Sequence, residues 1–337
     1  MSNSLNRREK NLRLKILLID FDKYLRYNSN TKNKKFEEFL MSRVAIITDT
    51  SAGFTPQQAV ELGLTIVPIP FIINGEEYIE NVNLTREKFF KLLEGNSNIS
   101  TSQTSQIVLK ECFDSLLASY DEIVFIPLSS GLTGICKTTK PTADEYNGRV
   151  QVVDNKRVSV TLKGAVLIAV ELVKEGKSAK EIKEYLETDT FNSSIYITLT
   201  TLKYLKKGGR ITATAAAIGT LLKIKPVLQI QGDKLDAYAK VMTMQQAKSK
   251  MINAVKKDLE TRFKKYYDNG EMAIAIAHTS LNDMAAQQFA EEIKQEFQNL
   301  KFSYVDPLPL AITCHTGPDA LALAVFKTYK DCLNLIK

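Results

Sequence analysis

From Met41 onward the chain alternates short apolar runs, each closed by a polar loop, with segments of helical periodicity. Val44–Thr48 (VAIIT) runs into Asp49-Thr50-Ser51-Ala52-Gly53, and a helix follows with Thr55 as N-cap, Pro56 at N1 and Gln58 completing a capping box. Thr65–Phe71 reads as a second strand, and Asn74-Gly75 as a two-residue hairpin turn. Helices are expected over Thr85–Leu93 and Gln106–Ser119, with Thr104 or Ser105 as cap of the second. Glu122–Pro127 is the next strand, followed at once by the loop Leu128–Gly134 (LSSGLTG) and a helix; Val150–Asp154 is another strand. A strand–helix–strand series of this kind builds a parallel or mostly parallel sheet covered by helices.

The second half has a different texture. Helices over Leu162–Lys174 and Ser178–Glu187, the latter with a Ser178/Glu181 capping box, lead to a strand at Ser194–Leu199. Then come YLKKGGRI, an Ala-rich stretch over Thr212–Leu222, and KPVLQIQGDKLDAYAKV, a hairpin turning at Gly232-Asp233. A long amphipathic helix is expected over Ala247–Tyr267, a strand over Met272–His278, a helix over Asn282–Phe297 and a strand near Phe302–Val305. In ITCHTGPDALALAVF, His315 is placed on a turn that enters a helix. The fold class expected is α/β with two α/β domains, residues 42–160 and 161–337, meeting near 155–165.

Charge looks informative, with 45 Lys+Arg against 38 Asp+Glu and a net charge of +7. Its location changes its meaning. Residues 1–40 hold ten basic side chains against five acidic, and the remaining 297 residues hold 35 against 33. The segment before Met41 is therefore expected to be a basic extension, mobile or an upstream reading of the start codon. As a nucleic-acid arm it lacks interleaved aromatics and any known motif, so no nucleic-acid partner is expected. Its apolar run Ile16–Ile19 is too short for the core of a secretory signal. No run approaches the roughly 20 apolar residues that span a bilayer. Cys112, Cys136, Cys314 and Cys332 form no CxxC pair and read as reduced cytosolic thiols, with no metal site.

The chemistry concentrates in a few loops. A strand that ends in Ser129-Ser130-Gly131 and enters a helix aims backbone N–H groups, hydroxyls and the helix N-terminal partial charge at one spot, which is an anion site in physical terms. Open α/β sheets hold ligands at this end of their strands. Ser100–Gln106 (STSQTSQ) is a second hydroxyl-rich loop able to bond a carboxylate without adding charge. Of the two histidines, His278 ends an apolar strand and reads as structural, while His315 stands where a ligand is reachable. Arg210 sits among Lys206, Lys207, Gly208 and Gly209, an arrangement that suits an acidic partner or a phosphate.

IITDTSAG, STSQTS, LSSGLTG, YLKKGGRI, LLKIKPVLQIQGDKL and HTGPDA, in this order and spacing over residues 42–330, resemble the bacterial DegV family of fatty-acid-binding proteins. The resemblance implies two α/β domains with a ligand site between them. It implies one bound long-chain fatty acid as ligand, no cofactor and no catalysis by the chain alone. Some members present the bound carboxylate to a fatty acid kinase catalytic subunit, which makes acyl phosphate for phospholipid synthesis, with transient contact at a membrane surface. Carried over by motif, Thr101, Ser102, Ser129, Ser130 and Thr133 hold the carboxylate, His315 lies near it, and Arg210 serves the kinase contact. The chain departs from the family pattern at Thr104, Asn155 and Asp319, and Pro141 interrupts a helix that runs on in relatives. Ala213–Leu222 and Leu162–Val173 are the expected linings for the acyl chain. The competing reading is a hydrolase using a loop serine, His315 and an acid such as Asp49 or Asp319, although no GxSxG elbow is present.

Overall fold

The computed structural model describes residues 43–95, 97–218, 224–232 and 234–336. The expectations for residues 1–41, for positions 219–222 of the Ala-rich stretch and for Asp233 in the hairpin turn lie outside the described residues. The first part runs β1 (Val44–Asp49), α1 (Pro56–Leu62), β2 (Leu64–Val67), β3 (Phe71–Ile73), β4 (Glu76–Tyr78), α2 (Arg86–Glu94), β5 (Ile99–Thr101), α3 (Gln106–Leu117), β6 (Glu122–Ile126), α4 (Ile135–Asp144) and β7 (Val150–Val152). There follow α5 (Ser159–Lys174), α6 (Ala179–Thr188), β8 (Ser193–Thr198), α7 (Lys203–Gly208), α8 (Ala213–Ile218), β9 (Lys225–Ile230) and β10 (Asp236–Val241). The chain closes with α9 (Met244–Glu260), α10 (Lys264–Asp268), β11 (Met272–His278), α11 (Met284–Glu296), β12 (Lys301–Pro307), α12 (Leu310–Thr316) and β13 (Leu321–Lys327).

Two principal sheets result. The first is parallel throughout, in the order β2-β1-β6-β7. Its strands lead to opposite sides of β1 and β6, so the carboxyl ends of these two neighbours form a topological switch point. The second sheet has the order β10-β9-β8-β13-β11-β12 and is antiparallel except for the β11–β12 pair. A small antiparallel sheet, β4-β3-β5, carries the Asn74-Gly75 turn, where φ values of 52° and 89° match a type I′ hairpin. α5 is buried almost along its whole length. Its Leu162, Val166 and Ile168 join Val44, Val124 and Ile126 in one core, to which Ile182 and Leu186 of α6 also belong.

Local signals and structure agree at the caps. Thr55 Oγ1 accepts from Gln58 N at 3.1 Å while Thr55 N donates to Gln58 Oε1 at 3.1 Å. Ser178 and Glu181 make the second reciprocal pair. Tertiary contacts override local reading elsewhere. The strand expected over Thr65–Phe71 divides, because Pro68 and Pro70 lack the N–H a ladder needs. The Ala247–Tyr267 helix breaks at Thr261. There, Tyr196 donates to Asp258 at 2.7 Å and Arg262 reaches Ser194 at 2.8 Å, tying the last turn of α9 to β8. Pro141 is accommodated inside α4. Ser105 begins α3 without a side-chain cap, and Thr104 is used elsewhere. His278 closes β11 in the core, its carbonyl accepting from Leu308 N at 2.6 Å.

The loop after β7 is locked by Arg157, whose side chain is 1% exposed. It donates to both the carboxylate and the main-chain carbonyl of Asp189. Removing the acid strands a buried guanidinium. Asp189→Ala is expected to cost about 3–5 kcal/mol in a urea unfolding experiment; a loss under about 1 kcal/mol would show the pair to be dispensable.

Candidate functional site

A cavity of about 250 Å³ opens where the carboxyl ends of β1 and β6 meet one face of the second sheet. Its floor follows from strand register. Ala277 of β11 lies opposite Ala322 of β13, which lies opposite Ile197 of β8. Two alanines side by side in one row leave the space that Leu or Ile would fill, and Ile195 and Ile230, paired across β8 and β9, continue the apolar wall. Val158 and Val160 at the start of α5, and Leu308 and Ile312 at the start of α12, close the sides.

The other end is polar. The two prolines that split the strand after β2 place carbonyls where the Thr101–Thr104 loop passes. Pro70 O accepts from Ser102 N at 2.9 Å and Pro68 O from Thr104 Oγ1 at 2.6 Å. This holds Thr101 against α12, with Thr101 Oγ1 and His315 Nε2 3.2 Å apart. Thr101, Ser102, Thr133, Arg210 and His315 all line the cavity. Arg210 bridges two loops, its Nε donating to Leu132 O at 3.2 Å and its Nη1 to Gly208 O. Among the described residues no carboxylate pairs with it.

Ser129 and Ser130 are placed differently. Ser129 is 1% exposed and its hydroxyl accepts from Gly131 N at 3.1 Å, while its carbonyl takes the N–H groups of Leu132 and Thr133. Ser130 is exposed, with its N–H on Asp154 at 3.2 Å. The N–H groups of Leu128 to Thr133 are thus all spent, three on Ser129 and the others on Asp49, Arg157 and Asp154. The backbone donors left at the cavity wall belong to the start of α4, at Gly134 and Ile135, where the first intrahelical bond is Thr138 N to Gly134 O. The two expected acyl-chain linings are also displaced. Leu162–Val173 faces the first-sheet core, and no described residue of Ala213–Leu222 reaches the cavity.

Among the lining residues, the sequence singles out neither Gln103 nor Ser159, and Asp49 only as a candidate acid of the hydrolase reading. Gln103 lies over Gly134 and accepts from Thr138 Oγ1 at 2.9 Å, spanning the two loops. Ser159 opens α5 with φ 52° and is buried. Asp49, fully buried, accepts from Ser51 N at 2.9 Å and Leu128 N at 2.8 Å, stapling the end of β1 to the end of β6. Burial raises its pKa despite these bonds. Only Asp49 carried a signal, as the acid at a strand end.

Electrostatics weigh against a hydrolytic triad. Burial, then the positive field of Arg210, lowers the His315 pKa to about 4, which makes it a feeble base at neutral pH. Asp49 is committed to Ser51 and Leu128, and Asp319 is exposed and absent from the cavity wall. His315 stands in the last turn of a helix that precedes a strand, not on a turn entering a helix, so its ring points back into the fold.

The amino end of the same helix rests on Glu80, whose Oε1 accepts from Leu310 N at 3.3 Å, while Arg86 donates to Leu308 O at 2.9 Å. Burial pushes the Glu80 pKa up to about 7. A carboxyl raised in the folded state stabilises below its ordinary value and loses that contribution as pH rises through about 7. The Glu80 contribution to thermal stability is therefore expected to fall between pH 4.5 and about 7, against the rise that His315, lowered from 6.5 to about 4, supplies with increasing pH. Glu80→Gln is expected to remove the falling part; a pH profile unchanged in that variant would remove Glu80 as its source.

Comparison with known proteins places these features in a family. The sequence profile of the DegV family, described as uncharacterised proteins, matches residues 43–328. A DegV domain-containing protein of Deinococcus radiodurans is 29% identical over 285 residues, covering 84% of this chain and 98% of its own length. Among solved structures, a fatty acid binding DegV family protein from Streptococcus agalactiae matches with a TM-score of 0.75 at 26% identity, over 86% of this chain and 100% of its own. DegV from Bacillus subtilis, described as a fatty acid binding protein, matches with a TM-score of 0.73 at 25% identity, over 85% of this chain and 100% of its own.

Proposed function

The chain belongs to the DegV family, and on that premise we propose that it binds a long-chain fatty acid, carboxylate at the polar end of the cavity and acyl chain along the alanine-floored wall. The observation that carries this reading is the division of one cavity into an apolar wall and a hydroxyl-rich end holding Arg210, with no acidic partner for it among the described residues. Burying a sixteen-carbon chain at about 0.8 kcal/mol per methylene contributes on the order of 10 kcal/mol before association costs. Charge-assisted hydrogen bonds add about 1.5–3 kcal/mol each against desolvation, so the tail sets affinity and the head group sets orientation. In this reading Thr101, Ser102 and Thr133 offer hydroxyls, neutral His315 offers one ring nitrogen, and Ser129 and Ser130 shape the loop.

The chain has no catalysis of its own in this proposal. It presents the carboxylate to a fatty acid kinase catalytic subunit, where a carboxylate oxygen attacks the terminal phosphorus of a nucleoside triphosphate held by the kinase. The bond from that phosphorus to its bridging oxygen breaks, the nucleoside diphosphate leaves, and acyl phosphate for phospholipid synthesis forms. The Lys206–Arg210 segment beside the head group is the side from which that partner docks. The division into an extension over 1–41 and α/β units over 42–160 and 161–337 belongs to the same proposal, as does a bacterial, cytoplasmic setting. No helix among the described residues is long and apolar enough to cross a membrane.

Native mass spectrometry of the purified protein is expected to find a co-purified fatty acid, and Ala322→Phe, which fills the floor, to weaken binding at least about tenfold with an unchanged circular dichroism spectrum. An empty wild-type cavity that takes up no added fatty acid overturns the reading. Arg210→Ala is expected to change fatty-acid affinity less than about tenfold, since the tail dominates, yet to abolish kinase-dependent acyl phosphate formation. Undiminished turnover in that variant would remove Arg210 from the partner contact.

A further inference from the structure

We infer that Gly208 is a positioning residue for His315: the missing side chain at 208 is what lets the imidazole seat against α7 with Nε2 facing Thr101. Two adjacent glycines close α7, and they are there for different reasons. Gly209 has φ +69° and nothing within 4 Å of where a Cβ would stand, so its backbone conformation accounts for it. Gly208 lies outside the left-handed region, and no backbone demand calls for glycine. A Cβ built there would overlap Nδ1 of His315 and stand 3.1 Å from Cε1. Any larger residue at 208 must displace the ring.

The same crossing carries a reciprocal notch. A Cβ on Gly317, just after α12, would overlap the ring of Tyr204 on α7. Each helix therefore receives the other's ring over a glycine, His315 over Gly208 and Tyr204 over Gly317. The crossing fixes the ring from the Nδ1 side, and Thr101 meets it on the Nε2 side at 3.2 Å. The Gly208 carbonyl also accepts from Arg210 Nη1, so the notch and the guanidinium are one piece of backbone. A ring packed against α7 on its Nδ1 side and met by Thr101 at Nε2 keeps its orientation in the absence of ligand.

The ligand arm of the test rests on the fatty-acid reading above; the titration arm does not. With only two histidines in the chain, ring resonances are resolvable by NMR. In the ligand-free protein His315 is expected to titrate near about 4 in the wild type and closer to 6.5 in Gly208→Ala, as the displaced ring meets solvent. Oleate affinity is expected to fall severalfold, by less than about tenfold, in Gly208→Ala and to stay unchanged in Gly270→Asn, at a left-handed glycine with nothing within 4 Å of its Cβ position. The double variant Gly208→Ala/His315→Ala should bind and unfold like His315→Ala alone, because no ring remains to displace. That arm also decides the case if Gly208→Ala does not fold. An unmoved His315 titration in a folded Gly208→Ala, or a double variant weaker than His315→Ala, overturns the assignment. Wild-type protein that binds no oleate would refute the fatty-acid reading while the titration still judges Gly208.

Discussion

A cavity survives inside a close-packed protein only where side-chain volume is withheld on purpose. In this chain the withholding is done by strand register. Ala277 and Ala322 face one another across β11 and β13, with Ile197 next in the row. Had either strand slipped by one residue, the alanines would have turned to the opposite face and the space would have closed. The seven-residue pairing of β11 with β13, buried in the middle of the second sheet, is what prevents that slip. The walls, the polar end and the ligand proposal all depend on this row.

The polar end is assembled from elements distant in sequence. Asp49 joins the ends of β1 and β6, Pro68 and Pro70 hold the Thr101 loop, and Arg210 ties the KKGGR segment to the carbonyl of Leu132. Each link uses a main-chain group that the sheet or helix had left free. The result is a set of hydroxyls, one neutral imidazole and one guanidinium at the mouth of an apolar space. An amphiphile with one anionic head fits that polarity, because the head keeps its hydrogen bonds while the chain leaves water.

Burial tunes this end as much as charge does. His315 is held neutral, Asp49 is pushed upward and Glu80, at the far end of the same helix, is moved near neutrality. The helix that carries His315 is thus anchored at one end by a carboxyl and at the other by the paired glycine notches of α7 and α12. Both anchors are short-range, so the ring's orientation is a property of packing and not of the imidazole itself.

What the sequence alone determined is local and periodic. The caps at Thr55 and Ser178, the Asn74-Gly75 turn, the parallel first sheet and the ordered family motifs follow from spacing and side-chain type within a few residues. These features depend on neighbours in the chain, which a sequence displays. Only the tertiary structure decided which hydroxyls reach the cavity, that Ser129 serves its own loop while Ser130 is exposed and bonds Asp154, and that His315 ends a helix and does not begin one. It also decided that α5 beyond Val160 feeds the first core and leaves the apolar wall of the cavity largely to alternate residues of β8, β9, β11 and β13. The cavity wall turns on strand register, where a one-residue shift reverses every side chain, and the polar end on contacts between segments distant in the chain, such as Thr101 with His315; no local pattern records either choice.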